Sequence, residues 1–176
     1  WKFHYTGVGD DKSGYDINPI TPIYKGDEIF VTSGYNHAGL MLKLNQNMDT
    51  VKLKWKTEDL DSHHGGVVEH KGYIYGSNFT TVISGKWACI DWETGELQYE
   101  ESWFTKGQII STDDYLICYD ERKGNIALVH PTPNGFNIIS SFKVKGGNGP
   151  HWCHPTIYDE KLFLRHGKSL LIWDIG

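Results

Sequence analysis

Short apolar runs broken by Gly, Asp, Asn or Pro recur along the whole chain, and their order repeats. Ile20-Thr21-Pro22-Ile23-Tyr24-Lys25-Gly26-Asp27-Glu28-Ile29-Phe30 reads as a strand, a tight polar turn and a second strand. The same shape returns over 65–75, 109–117 and 155–163. Aligning the turns at Asp27, Gly72, Asp114 and Glu160 gives spacings of 45, 42 and 46 residues. A third strand is predicted after each hairpin, at 40–44, 87–91, 126–130 and 170–174. A fourth follows in three cases, at 51–56, 97–101 and 136–144.

Four short antiparallel strands at this period are the pattern of a β-propeller blade, because a sandwich would carry strands without the repeat. The predicted fold is therefore all-β: a propeller of four-stranded antiparallel blades, with repeats at about 17–57, 63–104, 107–145 and 150–175. Residues 1–5 read as an orphan outer strand, available to complete the last blade, which stops after its third strand. Residues 6–18 form a polar, Gly-rich connection into the first blade. The count permits a closed four-bladed ring or half of a larger one, and an isolated half-ring would tend to self-associate through its open edges.

The strongest copy of the repeat is Trp87-Ala88-Cys89-Ile90-Asp91-Trp92-Glu93-Thr94-Gly95-Glu96. Asp91 invites a catalytic reading, but a carboxylate placed before a turn satisfies the turn's own N–H groups. Trp87, Trp92 and Trp103 fit packing between blades.

Composition alters this picture little. Aromatic residues make up 14% of the chain and there are 20 glycines, as in a turn-rich β-protein. A net charge of -5 argues against nucleic acid as the main partner, and no apolar run is long enough for a transmembrane segment. Cys89, Cys118 and Cys153 have no zinc-site spacing, and the first two read as small buried hydrophobes.

The residues Ala88 to Glu96, with Leu97 and Tyr99, carry a family resemblance. They resemble the blade signature of pyrroloquinoline-quinone-type propellers, where a small–x–hydrophobic–Asp strand runs into a Thr-Gly turn and a Trp-bearing outer strand. Gly149-Pro150-His151-Trp152-Cys153-His154-Pro155, and Arg165-His166-Gly167 to Trp173-Asp174-Ile175, resemble the last blade of bacterial quinoprotein-dehydrogenase-like repeat proteins. The resemblance covers nearly the whole chain. It implies the C-terminal half of a roughly eight-bladed ring in a periplasmic, cell-surface or secreted bacterial protein. It also implies pyrroloquinoline quinone and calcium for the enzymes of the superfamily. The adjacent-cysteine pair of those enzymes is missing here, and no Asp or Glu matches their catalytic base. No catalytic residue or cofactor ligand is carried across.

Candidate binding residues come from the repeat offsets. Asn18, His63, Thr105 and His151 occupy equivalent places before the inner strands, followed by His64, Lys106 and Trp152, then Gln108 and His154. Convergent polar groups at a channel mouth mark a default binding site, although each could equally be a solvated loop residue. His151-Trp152-Cys153-His154 has the atoms of a metal site, yet residues three apart on a strand face opposite ways. His63-His64 is weaker still, because neighbours diverge. No metal site is therefore expected. Asn78-Phe79-Thr80 matches a glycosylation acceptor, a triplet common by chance.

The leading functional expectation is a non-catalytic binding or scaffold propeller with a protein, small-molecule or glycan partner at the blade loops. The alternatives are a quinone-dependent alcohol or sugar dehydrogenase, with Lys106, Gln108, His151 and Trp152 along its cofactor channel, and a glycan-binding module using aromatic platforms. Enzymatic activity stays open at this level.

Overall fold

Alternation of apolar and polar positions over four to seven residues, closed by residues able to adopt positive φ, produces hairpins rather than helices. In the computed structural model, which describes residues 1–5 and 17–176, the described residues form fifteen strands and no helix. Most of the connection expected over 6–18 lies outside the described residues.

The first blade is β1 (Ile23–Lys25), β2 (Glu28–Val31), β3 (Gly39–Leu44) and β4 (Val51–Thr57). The second is β5 (Val67–His70), β6 (Tyr73–Ser77), β7 (Trp87–Asp91) and β8 (Leu97–Glu101). The third is β9 (Gly107–Ser111), β10 (Leu116–Asp120), β11 (Asn125–His130) and β12 (Asn137–Lys143). The last holds three strands, β13 (Thr156–Tyr158), β14 (Lys161–His166) and β15 (Ser169–Asp174). Each sheet is a simple antiparallel meander in chain order. The inner hairpins turn where the sequence places them: Lys71 and Gly72 both have positive φ, as do Asp159 and Glu160. That is the backbone twist two-residue hairpins require. A bulge recurs in the three complete blades, at Met41/Leu42, Cys89/Ile90 and Leu128/Val129, and adds twist at the same station each time.

The blades pack face to face in sequence. Phe30 and Met41 of the first meet Ile74, Ala88, Ile90 and Trp92 of the second. Tyr75, Trp87 and Cys89 meet Ile109, Leu116, Cys118 and Ala127 of the third. Ile117, Tyr119 and Ile126 meet Leu162 and Leu164 of the last. Trp87 stacks on Phe136 with ring centroids 5.4 Å apart and donates Nε1–H to the Trp103 carbonyl at 3.1 Å. Cys89 and Cys118 are buried free thiols, and burial pushes Cys89 up to about 12. Trp87, Trp92, Cys89 and Cys118 are thus core, with Trp103 packed against them half-buried.

Asp91 behaves as a turn carboxylate. Its Oδ1 accepts the N–H groups of Glu93 at 2.8 Å and Thr94 at 2.9 Å. Trp92 is swung inward, where its Nε1–H donates to Glu28 at 2.7 Å. Lys54 and Lys43, also of the first blade, bind the same carboxylate at 2.6 and 3.1 Å, and Lys54 reaches Glu93 at 2.6 Å, so that Trp92 and Glu93 clamp the second blade to the first. Burial raises the Glu28 carboxyl, but these hydrogen bonds outweigh it and hold the group below the usual range.

One expectation is corrected. Residues 1–5 complete no sheet; Phe3 and Tyr5 pack on Leu40 and Leu42 of the first blade, and the Tyr5 hydroxyl donates to the Ala38 carbonyl at 2.7 Å. The last blade keeps three strands, and its edge strand β15 presents Leu170 and Ile172 to solvent.

The inner strands of the second and third blades approach closely enough for the Ile109 N–H to donate to the Gly65 carbonyl at 3.1 Å. A Cβ at Gly65 would overlap the backbone of Gly107, whereas one at Gly72 meets nothing within 4 Å and only the strain of φ +89°. Gly65→Ala is therefore expected to cost at least ~3 kcal/mol in a denaturant melt, and Gly72→Ala about 1. Equal losses would contradict the close approach.

Candidate functional site

In a meander blade, the loop between the second and third strands lies at the same end as the connection to the next blade. That end gathers the loops 32–38, 78–86 and 121–124 with the connections 58–66, 102–106 and 144–155. At its centre is Lys106, 1% exposed. A buried ammonium needs a counter-charge and full hydrogen bonding. Lys106 Nζ meets Glu121 Oε1 at 2.8 Å and donates to the carbonyls of Thr81 at 3.1 Å and Val82 at 2.6 Å. It also lies 5.6 Å from the Phe79 ring centroid.

Glu121 reaches this place through a repeat of the Asp91 turn. Asp120 Oδ1 accepts the Arg122 N–H and its Oδ2 accepts the Lys123 N–H, each at 3.1 Å, and Gly124 takes φ +71°. Asp-x-x-x-Gly thus turns the residue after Asp inward in both cases, Trp92 at one end and Glu121 at the other. The sequence held this signal, but Glu121 was not among the candidates.

The second Glu121 oxygen, Oε2, lies 3.2 Å from His64 Nε2. His63 and His64 do not diverge; their ring centroids are 4.4 Å apart, because the pair sits in a loop ahead of Gly65 and Gly66 rather than on a strand. His63 is held edge-on by Tyr35 at 4.6 Å and Phe79 at 5.2 Å, two more residues that the sequence reading missed. Its Nδ1 is buried with no hydrogen-bond partner among the described residues. Burial, with His64 and Lys106 nearby, brings His63 down to about 4. Burial also lowers His64, against the pull of Glu121. Where no metal site was expected, one donor atom each from His63, His64 and Glu121 lie within 4.8 Å of one another.

The other candidates divide. His64 and His154 face a cleft of about 310 Å³ lined also by Thr21, Gly66 and Ile109, which is the concave side of the inner strands. Trp152 is exposed, with its ring 5.3 Å from His64. Asn18 is exposed beside the cleft residue Pro19. Gln108 and His151 are turned inward instead. With its amide nitrogen facing two carbonyls, Gln108 donates to His151 at 2.8 Å and Tyr119 at 3.2 Å. His151 is hydrogen-bonded to the Tyr119 hydroxyl and stacked on His166 at 3.8 Å. The physical reason is the same for both: each satisfies buried polar groups between blades. His151, Cys153 and His154 form no ligand cluster. Asn78 is buried, with Nδ2 on Glu100 and the Asp59 carbonyl, so it is unsuited to glycosylation.

Beside the centre, a second cleft of about 310 Å³ is lined by Glu58, Asp61, Asn78 and Glu100. Asp61 accepts N–H bonds from Asn36 at 3.0 Å and Phe79 at 2.9 Å, but burial dominates and raises it to about 6.

This arrangement defines a run of β-propeller blades, with a loop-built mouth at one end. No protein-family model and no curated protein matches the sequence. Among solved structures the chain is similar to BamB from Moraxella catarrhalis, at 15% identity and TM-score 0.64, covering 86% of this chain and 41% of that one. It is similar to a europium-containing methanol dehydrogenase at 16% identity and TM-score 0.58, covering 77% of this chain and 26% of the other. It is similar too to the computationally designed Ika8 protein, at 10% identity and TM-score 0.64, covering 88% and 45%. The chain thus spans less than half of each. At 10–16% identity the likeness shows the fold, a β-propeller, as the strand repeat predicted.

Two outcomes test the site. Glu121→Leu strands a buried ammonium and is expected to cost about 3–5 kcal/mol, while the double change with Lys106→Met costs markedly less. Equal costs in denaturant melts would remove the pair's claim to the mouth. Asp61 should titrate near 6 by carboxyl carbon NMR. Its folded value lies above the unfolded one, so its contribution to stability is present at low pH and is lost as pH rises from about 4 to 6. Titration near 4 would mean that the cleft is solvated.

Proposed function

We propose that this chain belongs to a non-catalytic binding or scaffold propeller of an extracytoplasmic bacterial protein, with the Lys106 mouth as its partner surface. One observation carries the reading. The loop 80–84 holds Val82 and Ile83 in solvent, 67% and 58% exposed, while its backbone is pinned from below. Lys106 binds the Thr81 and Val82 carbonyls, and Thr105 Oγ1 donates to the Ile83 carbonyl at 3.1 Å. Phe104 is exposed on the adjoining connection, with Ile83 in the same shallow recess. Apolar anchors on an ordered loop lose little entropy on docking, which is the property of a protein-binding hot spot.

The quinone-dependent reading draws less support. The channel groups it needs do not fit a cofactor: Lys106 is sealed against Glu121 and two carbonyls, and Gln108 and His151 join the blades. Only Trp152 is free to stack. Among the described residues no helix is long and apolar enough to cross a membrane.

The test is Val82→Asp with Ile83→Asp in the full chain. Surface changes of this kind shift stability by about 0.5 kcal/mol or less. The expected outcome is an unchanged melt with loss of partner co-purification and of complementation in a deletion strain. Reduction of an artificial electron acceptor by the wild-type protein, supplied with alcohol or sugar, quinone and calcium, would overturn the proposal.

A further inference from the structure

We propose that His63, His64 and Glu121 form a zinc site that ties the entry of the second blade to the turn of the third. It stands apart from the partner-surface reading and needs no partner. The three donor atoms lie within 4.8 Å of one another, from two loops 58 residues apart in sequence. A tetrahedral zinc with arms of about 2.0–2.2 Å has donor–donor edges of about 3.3–3.6 Å. His64 Nε2 and Glu121 Oε2 already stand 3.2 Å apart, so one edge is in place and His63 must close the other two by a small ring shift.

A second, independent observation points to a ligand. His63 Nδ1 is buried with no partner, in a mouth where Lys106, Gln108 and Glu121 all satisfy theirs. A buried nitrogen left unpaired costs free energy unless something occupies it. The outer contacts also suit a ligand set. Lys106 holds Glu121 Oε1 and leaves Oε2 to face His64, and Gln108 stands by His64 Nδ1 at 3.5 Å. Such second contacts orient the ligands of a metal centre. Two imidazoles and one carboxylate oxygen favour zinc over calcium or magnesium, which require oxygen-rich shells. The His64 side chain keeps 22% exposure, so the fourth position opens to the mouth, beside Trp152.

The test uses the metal-free full chain and zinc chloride, followed by calorimetry and by imidazole nitrogen NMR. One equivalent is expected to bind, moving the ring nitrogens of His63 and His64 and leaving His151, His154 and His166 in place. His63→Phe keeps the ring packing against Tyr35 and Phe79 and removes the donor. It should weaken binding ~100-fold, whereas His130→Ala, on an exposed position, should not. Should His63→Phe fail to fold, cobalt substitution in the wild type still decides, with visible bands of a tetrahedral nitrogen–oxygen site expected. Absence of binding, equal affinity in a folded His63→Phe, or thiolate charge-transfer bands with shifts at His151 and His154 would each overturn the proposal.

Discussion

A lysine ammonium with no access to water constrains everything around it. Lys106 has one carboxylate and two carbonyls to satisfy it, the carboxylate from a turn of the third blade and the carbonyls from loop 80–84 of the second. To supply the carboxylate, the third blade must fold its second turn so that Glu121 points inward. To supply the carbonyls, loop 80–84 must lie flat over Lys106, which leaves Val82 and Ile83 facing out. The apolar display and the imidazole cluster are consequences of the same buried charge. Backbone bonds extend it: the Glu121 N–H donates to the Lys106 carbonyl, and the His151 N–H to the Glu121 carbonyl, each at 3.2 Å. Two successive inter-blade connections are thereby stitched at one level through the second turn of the third blade.

The blades were legible in the sequence because each hairpin is local. Polar turns and period-two alternation act over a few residues and repeat. Inter-blade packing by Trp87 and Trp92, and the turn role of Asp91, followed from the same local chemistry. The site was legible only in outline. Repeat offsets placed His63, His64 and Lys106 at one end, but offsets do not say which way a loop residue faces. Lys106 and Gln108 read as lining groups and proved to be buried ties, and His151 was taken up by His166 and Tyr119. Glu121 escaped because the β9–β10 ladder that sets it opposite Lys106 runs past the ends of both strands, and its other neighbour, His64, lies in a different blade.

The same Asp-x-x-x-Gly turn serves two ends of the molecule. At Asp91 it delivers Trp92 to Glu28, a carboxylate shared with Lys54 and Lys43. At Asp120 it delivers Glu121 to Lys106 and His64. One end is closed by a tryptophan clamp, with Trp92 and Glu28 buried between blades and the turns around them exposed. The other is closed from beneath by a charge pair, with Val82, Ile83 and Phe104 exposed above it.

The most direct measurement is amide hydrogen exchange at Glu121 and His151. Both amides lie in loops, where exchange is ordinarily fast. If the charge pair and its backbone stitching hold the mouth, both will exchange only as slowly as the core strand β10 does. Exchange at the rate of an open loop, with β10 still protected, would contradict a prebuilt mouth.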